Sequence, residues 1–159
     1  MATEIERKFL VHREAWHADP AAGVRYRQGY LATFPSPVVR VRVAGDRGYL
    51  TIKGRTSGIT RLEFEYAIPL ADADEMLDTL CTTPLIEKVR YRVPYAGRTW
   101  DVDAFEGANA GLLLAEVELP AADAQVDLPP WVGREVSDDP RYFNANLAVH
   151  PWAEWGDRT

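Results

Sequence analysis

Like charges recur two residues apart along short β-forming runs, and this spacing restricts the possible folds more than any other feature. Glu4 and Glu6, Arg40 and Arg42, Glu63 and Glu65, Lys88 and Arg90, Asp101 and Asp103, and Glu116 and Glu118 all follow it. Residues two apart on a strand share a face. Each run therefore sets a charged face against an apolar one, as with Val39, Val41 and Val43 or Leu62, Phe64 and Tyr66. For one strand alone, the plain reading is a half-buried sheet with its polar face in water. For the whole set that reading is poor, because like charges on one strand face repel and exposed ion pairs return little. Turning the charges inward and packing the apolar faces outward against helices accommodates the pattern better.

The runs predict strands at Glu4–His12, Val24–Leu31, Val38–Ala44, Gly48–Gly54, Thr60–Ile68, Glu87–Tyr95, Arg98–Ala104 and Leu112–Leu119. Tight hairpins are expected at Asp46-Arg47-Gly48 and at Tyr95-Ala96-Gly97-Arg98. A helix over Asp72–Leu80 has Asp72 as its cap and Glu75 completing a capping box. A second helix runs from Pro140 to about Val149, with Asp139 at its N-cap. His12 to Gly23 has room for a further helical turn, and Trp152 and Trp155 in the tail read as exposed. The expected fold is mainly β: an eight-stranded antiparallel closed barrel with flanking helices, forming one domain over residues 1–159 with a core of about 3–149 and a tail of 150–159. An open, strongly curved sheet is the alternative.

A net charge of −6 argues against general nucleic-acid binding, which needs a basic face. It leaves a small anionic ligand open, because local charge decides that. The single cysteine, Cys81, excludes an internal disulfide framework and cannot build a zinc site alone. No apolar run approaches the ~20 residues of a membrane span, and Glu4 and Glu6 stand where a signal peptide would carry basic and apolar residues. The expected location is the cytoplasm, with no membrane or nucleic-acid partner, as a monomer or homodimer.

An enclosed interior rich in both signs of charge is costly unless a ligand completes it. Arg and Lys match phosphate oxygens, and clustered carboxylates suit a hard divalent ion that bridges to phosphates. These are the parts that phosphoryl transfer requires.

The opening Glu4-Ile5-Glu6-Arg7-Lys8 resembles the Glu-x-Glu-x-Lys motif of the CYTH superfamily, the triphosphate tunnel metalloenzymes. The resemblance continues in order through Arg27-Gln28-Gly29-Tyr30, Val39-Arg40-Val41-Arg42, Leu50-Thr51-Ile52-Lys53 and Arg61-Leu62-Glu63-Phe64-Glu65. It extends through Glu87-Lys88-Val89-Arg90, Asp101-Val102-Asp103, Glu116-Val117-Glu118 and Arg141-Tyr142-Phe143-Asn144, so nearly the whole chain is covered. The resemblance implies an eight-stranded tunnel acting on a small triphosphate with Mg²⁺ or Mn²⁺. It assigns metal binding to Glu4, Glu6, Asp103, Glu116 and Glu118, and the phosphate grip to Lys8, Arg40, Arg42, Lys53, Lys88 and Arg90. Glu63 and Glu65 would orient those cations, and Tyr30, beside Lys8 or Lys88, would relay a proton or pack structurally. No histidine lies in the matched motifs, so His12, His17 and His150 read as surface residues. Phe143 and Ala145 replace basic residues found in some relatives, which lowers the charge the last helix brings.

Hydrolysis of inorganic tripolyphosphate to pyrophosphate and phosphate is the leading expectation. Thiamine triphosphatase, nucleoside or RNA triphosphatase and adenylate cyclase are the alternatives within the family; thiamine would want an aromatic at the mouth, for which Trp16, Trp131 and Trp152 are candidates. Outside catalysis stand a polyphosphate-binding module and a lipocalin-like carrier, the latter at odds with a charged lumen.

Overall fold

The computed structural model describes residues 3–33 and 37–156. Strands β1 (Thr3–Val11), β2 (Val24–Ala32), β3 (Val38–Ala44), β4 (Arg47–Lys53) and β5 (Thr60–Ile68) come first. Helix α1 (Leu70–Thr79) precedes β6 (Ile86–Tyr95), β7 (Arg98–Phe105) and β8 (Leu113–Glu118), and β9 (Val132–Glu135) and α2 (Asn144–Val149) complete the order. The sheet runs β5-β4-β3-β2-β6-β7-β8-β1-β9, and a further β5–β1 pairing closes it into a ring of eight antiparallel strands with β9 outside the ring. β1 makes both arrangements possible. Its start, Thr3 to Ile5, pairs with β5, and its end, Phe9 to Val11, pairs with β9 along the edge β5 has left.

The apolar faces point away from the ring, as the alternation predicts. Phe9, Trp100, Val102, Ala115 and Val117 form an outer cluster capped by Trp131. Trp100 packs against both Phe9, tilted, and Trp131, edge-on, with ring centroids at 5.5 and 5.8 Å. α1 covers Val41 and Val43 with Ala73 and Leu77. Its close approach needs Gly48: a Cβ there would lie 2.8 Å from the Ala73 Cβ. A third cluster joins Tyr30, Ile86, Phe105 and Leu114 to Tyr142 and Leu147 of the C-terminal segment. Burying this much apolar surface on the outside leaves the interior free for polar groups.

Several expectations need correction. α1 begins at Leu70, with Pro69 at its N-cap and no side-chain capping bond, so Asp72 lies within the first turn and the box with Glu75 does not form. The cause is local: β5 runs directly into the helix, and Ala73 N–H already donates to the Pro69 carbonyl at 3.1 Å. The final helix is broken. Asp139 caps a 3₁₀ turn at Pro140–Tyr142, accepting from Arg141 N–H, and α2 starts only at Asn144. The helical turn expected between His12 and Gly23 is present, as the 3₁₀ turn Pro20–Ala22. The first hairpin turns at Gly45 and Asp46, with Gly45 at φ +60°, one residue earlier than expected. The second turns at Ala96 and Gly97, both at positive φ, the backbone a tight two-residue hairpin favours. Trp155 is not exposed: it is 6% accessible and stacks on Tyr142 at 5.0 Å, so the tail folds back onto the third cluster.

Candidate active site

The inward residues of the ring enclose a cavity of about 840 Å³. Every site residue expected from the sequence lines it except Asp103. The charged rows therefore converge.

The acidic wall comes from β1 and β8, which pair so that Glu6 faces Glu118 and Lys8 faces Glu116. Two carboxylates directly opposite each other are destabilising without a cation between them. The protein's response is to keep protons. Burial raises Glu6 well above the ordinary carboxylate value, and the neighbouring charges of Glu116 and Glu4 raise it further. Glu118 is raised by burial together with Glu4 and Asp101. Burial would raise Glu116 too, but Lys8 and Arg90 overcome that and hold it low, so the Glu6–Glu116 pair shares its proton with Glu6 as holder. Burial and the bond to Glu4 push Glu63 up to about 7. Glu4 itself is held low despite burial by Glu63 and Lys53. A buried Asp101 Oδ1 lacks a hydrogen-bond partner, while Glu4 Oε2 meets the Lys53 ammonium at 3.1 Å. Among the described residues no three such side chains are gathered into a finished metal cage. Carboxylates that must share protons or go unsatisfied are nonetheless the donor set a hard divalent ion suits.

The basic wall comes from β2, β3, β4 and β6. Lys53 Nζ lies 3.1 Å from both Glu4 and Glu63. The Arg40 guanidinium lies 3.3 Å from Glu65, and Thr51 Oγ1 donates to the same carboxylate at 2.9 Å. Glu63 and Glu65 thus stand against Lys53 and Arg40. Lys8 Nζ donates to the Tyr142 carbonyl at 3.2 Å and lies 5.5 Å from the centre of the Phe143 ring. Tyr26 is a residue the charge pattern did not flag; its ring carries Arg42 at 4.8 Å and Arg90 at 4.9 Å. A π-face lets these cations sit together without being neutralised. Arg42 has no carboxylate partner among the described residues, and burial with Arg40 and Arg90 nearby lowers it to about 10.

Asp103 is placed differently from its expected neighbours. It is fully buried behind the wall, where Arg90 grips it through Nε at 2.8 Å and Nη2 at 2.9 Å and Lys88 Nζ lies 2.8 Å away. Burial raises its carboxyl, but Arg90 and Lys88 outweigh that and hold it at about 2. Burial together with Arg90 and Arg42 lowers Lys88 to about 7, with Asp103 opposing. Asp101, two residues away on the same face, lines the cavity in its place, 3.4 Å from Arg90. Tyr30 lies on the wall and its hydroxyl accepts from Gln28 Nε2 at 3.2 Å; neither Lys8 nor Lys88 hydrogen-bonds it among the described residues.

Segment 137–146 lies across the cavity, contributing Phe143, Asn144, Ala145 and Asn146. This face brings no basic side chain to the lining, in keeping with Phe143 and Ala145, and Asp138 adds a carboxylate to it. Trp16, Trp131 and Trp152 do not line the cavity: Trp16 stacks on Tyr91 at 5.3 Å, and the other two pack in the apolar clusters.

The CYTH domain model matches residues 2–147. This chain belongs to the CYTH family. An inorganic triphosphatase of Acetivibrio thermocellus is 51% identical over 96% of this CYTH chain and 97% of its own length. An inorganic triphosphatase of Nitrosomonas europaea is 38% identical over 92% of this chain and 97% of its own. A crystal structure of an inorganic triphosphatase superposes with a TM-score of 0.65 at 35% identity, covering 92% of this chain and 97% of that one. The likeness to these proteins thus extends along nearly the full length of the chain. No helix among the described residues is long and apolar enough to cross a membrane.

Proposed function

We propose that this CYTH protein is an inorganic triphosphatase that hydrolyses tripolyphosphate to pyrophosphate and phosphate, using a divalent metal. One observation carries the reading: two walls of opposite charge face each other across one cavity. Relatives named as inorganic triphosphatases at 51% and 38% identity support it.

Arg42, Arg40, Lys53, Arg90, Lys8 and Lys88 take the phosphate oxygens, Arg by its planar fork and Lys as a point charge. Glu4, Glu6, Glu116 and Glu118 hold Mg²⁺ or Mn²⁺, with Asp101 beside them, while Asp103 fixes Arg90 and Lys88. A metal held there supplies neutralisation of phosphate charge and a lowered pKa for bound water. The chain's own groups do the rest. Lys88, lowered to about 7, gives a proton at Nζ to the departing phosphate oxygen, which then carries away less charge. Lys8 offsets the charge that develops beside Glu116. Tyr30 already accepts from Gln28, so its own O–H is free to orient a water or phosphate oxygen. The barrel wall keeps bulk water from these contacts.

Phosphate release is measured from tripolyphosphate, ATP and thiamine triphosphate with Mg²⁺ and with Mn²⁺. Tripolyphosphate is expected to turn over fastest in both. Cyclic nucleotide from ATP, or tight tripolyphosphate binding without turnover, would replace this reading with a cyclase or a binding module.

A further inference from the structure

Most cations of the basic wall are held by carboxylates, which cancel part of the charge that attracts an anion. Arg42 is held otherwise. Its Nε donates to Gln28 Oε1 at 2.8 Å, and Gln28 is fully buried and outside the cavity lining. The Gln28 amide is engaged at both ends: its Nε2 donates to Tyr30 Oη and to Asn144 Oδ1, each at 3.2 Å. Asn144 Oδ1 also accepts from Lys88 Nζ at 2.9 Å. The orientation of both amides follows from chemistry, since Arg and Lys are donors only and must meet oxygen. The chain of bonds therefore runs from Arg42 through Gln28 and Asn144 to Lys88, and joins β2, β3 and β6 to the start of α2.

We propose that Gln28 is a positioning residue which aims Arg42 into the cavity through a neutral amide, itself fixed by Tyr30 and Asn144, and so sets affinity for the substrate's phosphates. A neutral acceptor fixes a guanidinium as firmly as a carboxylate would in direction, yet leaves its full charge for the ligand. Glutamine is needed because the position must accept from Arg42 and donate to Tyr30 and Asn144 at once. Glutamate accepts without donating, and methionine of similar length does neither. The inference rests on the triphosphatase reading and concerns how that site is tuned.

The test is a double-mutant cycle read in KM and kcat with tripolyphosphate and Mg²⁺, on protein confirmed folded by circular dichroism. Gln28→Met is expected to raise KM about tenfold, the lower end for losing a hydrogen bond to a charged group, with kcat changed less than about threefold. In an Arg42→Ala background the same substitution is expected to change KM by less than about twofold, because the group it positions is gone. Gln28→Glu, which keeps the side chain's shape, is expected to raise KM at least as much by pairing with Arg42, and it decides the matter if Gln28→Met does not fold. Additive effects in the cycle, or a wild-type KM in Gln28→Glu, would overturn the positioning role with the triphosphatase reading intact. An inactive wild type would overturn the reading itself.

Discussion

Glu6→Gln is expected to reduce tripolyphosphate turnover by about a hundredfold to a thousandfold while making the metal-free protein more resistant to heat at pH 8. The first effect follows from charge. Glu6 lies opposite Glu118 and beside Glu116, and glutamine keeps its shape but cannot give a metal an anionic oxygen. The scale is that of removing one group which stabilises transition-state charge. The second effect follows from the raised carboxyl. A carboxyl whose folded value lies above its unfolded one contributes stability below the unfolded value, and that contribution is lost as pH rises through the folded value. At pH 8 wild-type Glu6 therefore bears a penalty from burial and from Glu116 and Glu4 that glutamine lacks. Melting curves in chelator at pH 5 and pH 8 read this: the variant's advantage should appear at pH 8 and shrink at pH 5. Retained turnover at low Mg²⁺ would remove Glu6 from the metal set.

Arg42→Ala is expected to act on binding instead. Arg42 faces the cavity with no carboxylate partner among the described residues, so its whole charge is available to phosphate. Losing a charge-assisted pair of hydrogen bonds corresponds to an increase in KM of about tenfold to a hundredfold, with a smaller change in kcat. Arg42→Lys should fall between, keeping the charge but losing the fork. An unchanged KM in Arg42→Ala would place the phosphates elsewhere.

Much of this site was legible because period-two alternation records which residues share a face. It located the three Glu pairs, the Arg40–Arg42 pair and Lys53 on the interior wall. Alternation does not record depth, however. Asp101 and Asp103 share a face, and only the register of β6 against β7, which sets Arg90 opposite Asp103, decides that Asp103 is consumed behind the wall. Neutral groups carried no signal at all: Gln28 and Asn144 matter through their partners on other elements. β9 was missed for a related reason. Val132–Glu135 is a strand because β1 offers it a free edge, and it lacks alternation of its own. Trp155 was misread because its burial comes from folding back onto Tyr142. The helix starts failed where a preceding strand or turn, and not a side-chain cap, set the boundary.

The most direct measurement is a crystal soaked with tripolyphosphate and Mn²⁺, read in the anomalous difference map. Manganese peaks against Glu6, Glu116 and Glu118, with phosphate oxygens on Arg42 inside the barrel, are the expected result. Manganese and tripolyphosphate ordered on the outer surface, with only solvent between the charged walls, would contradict it.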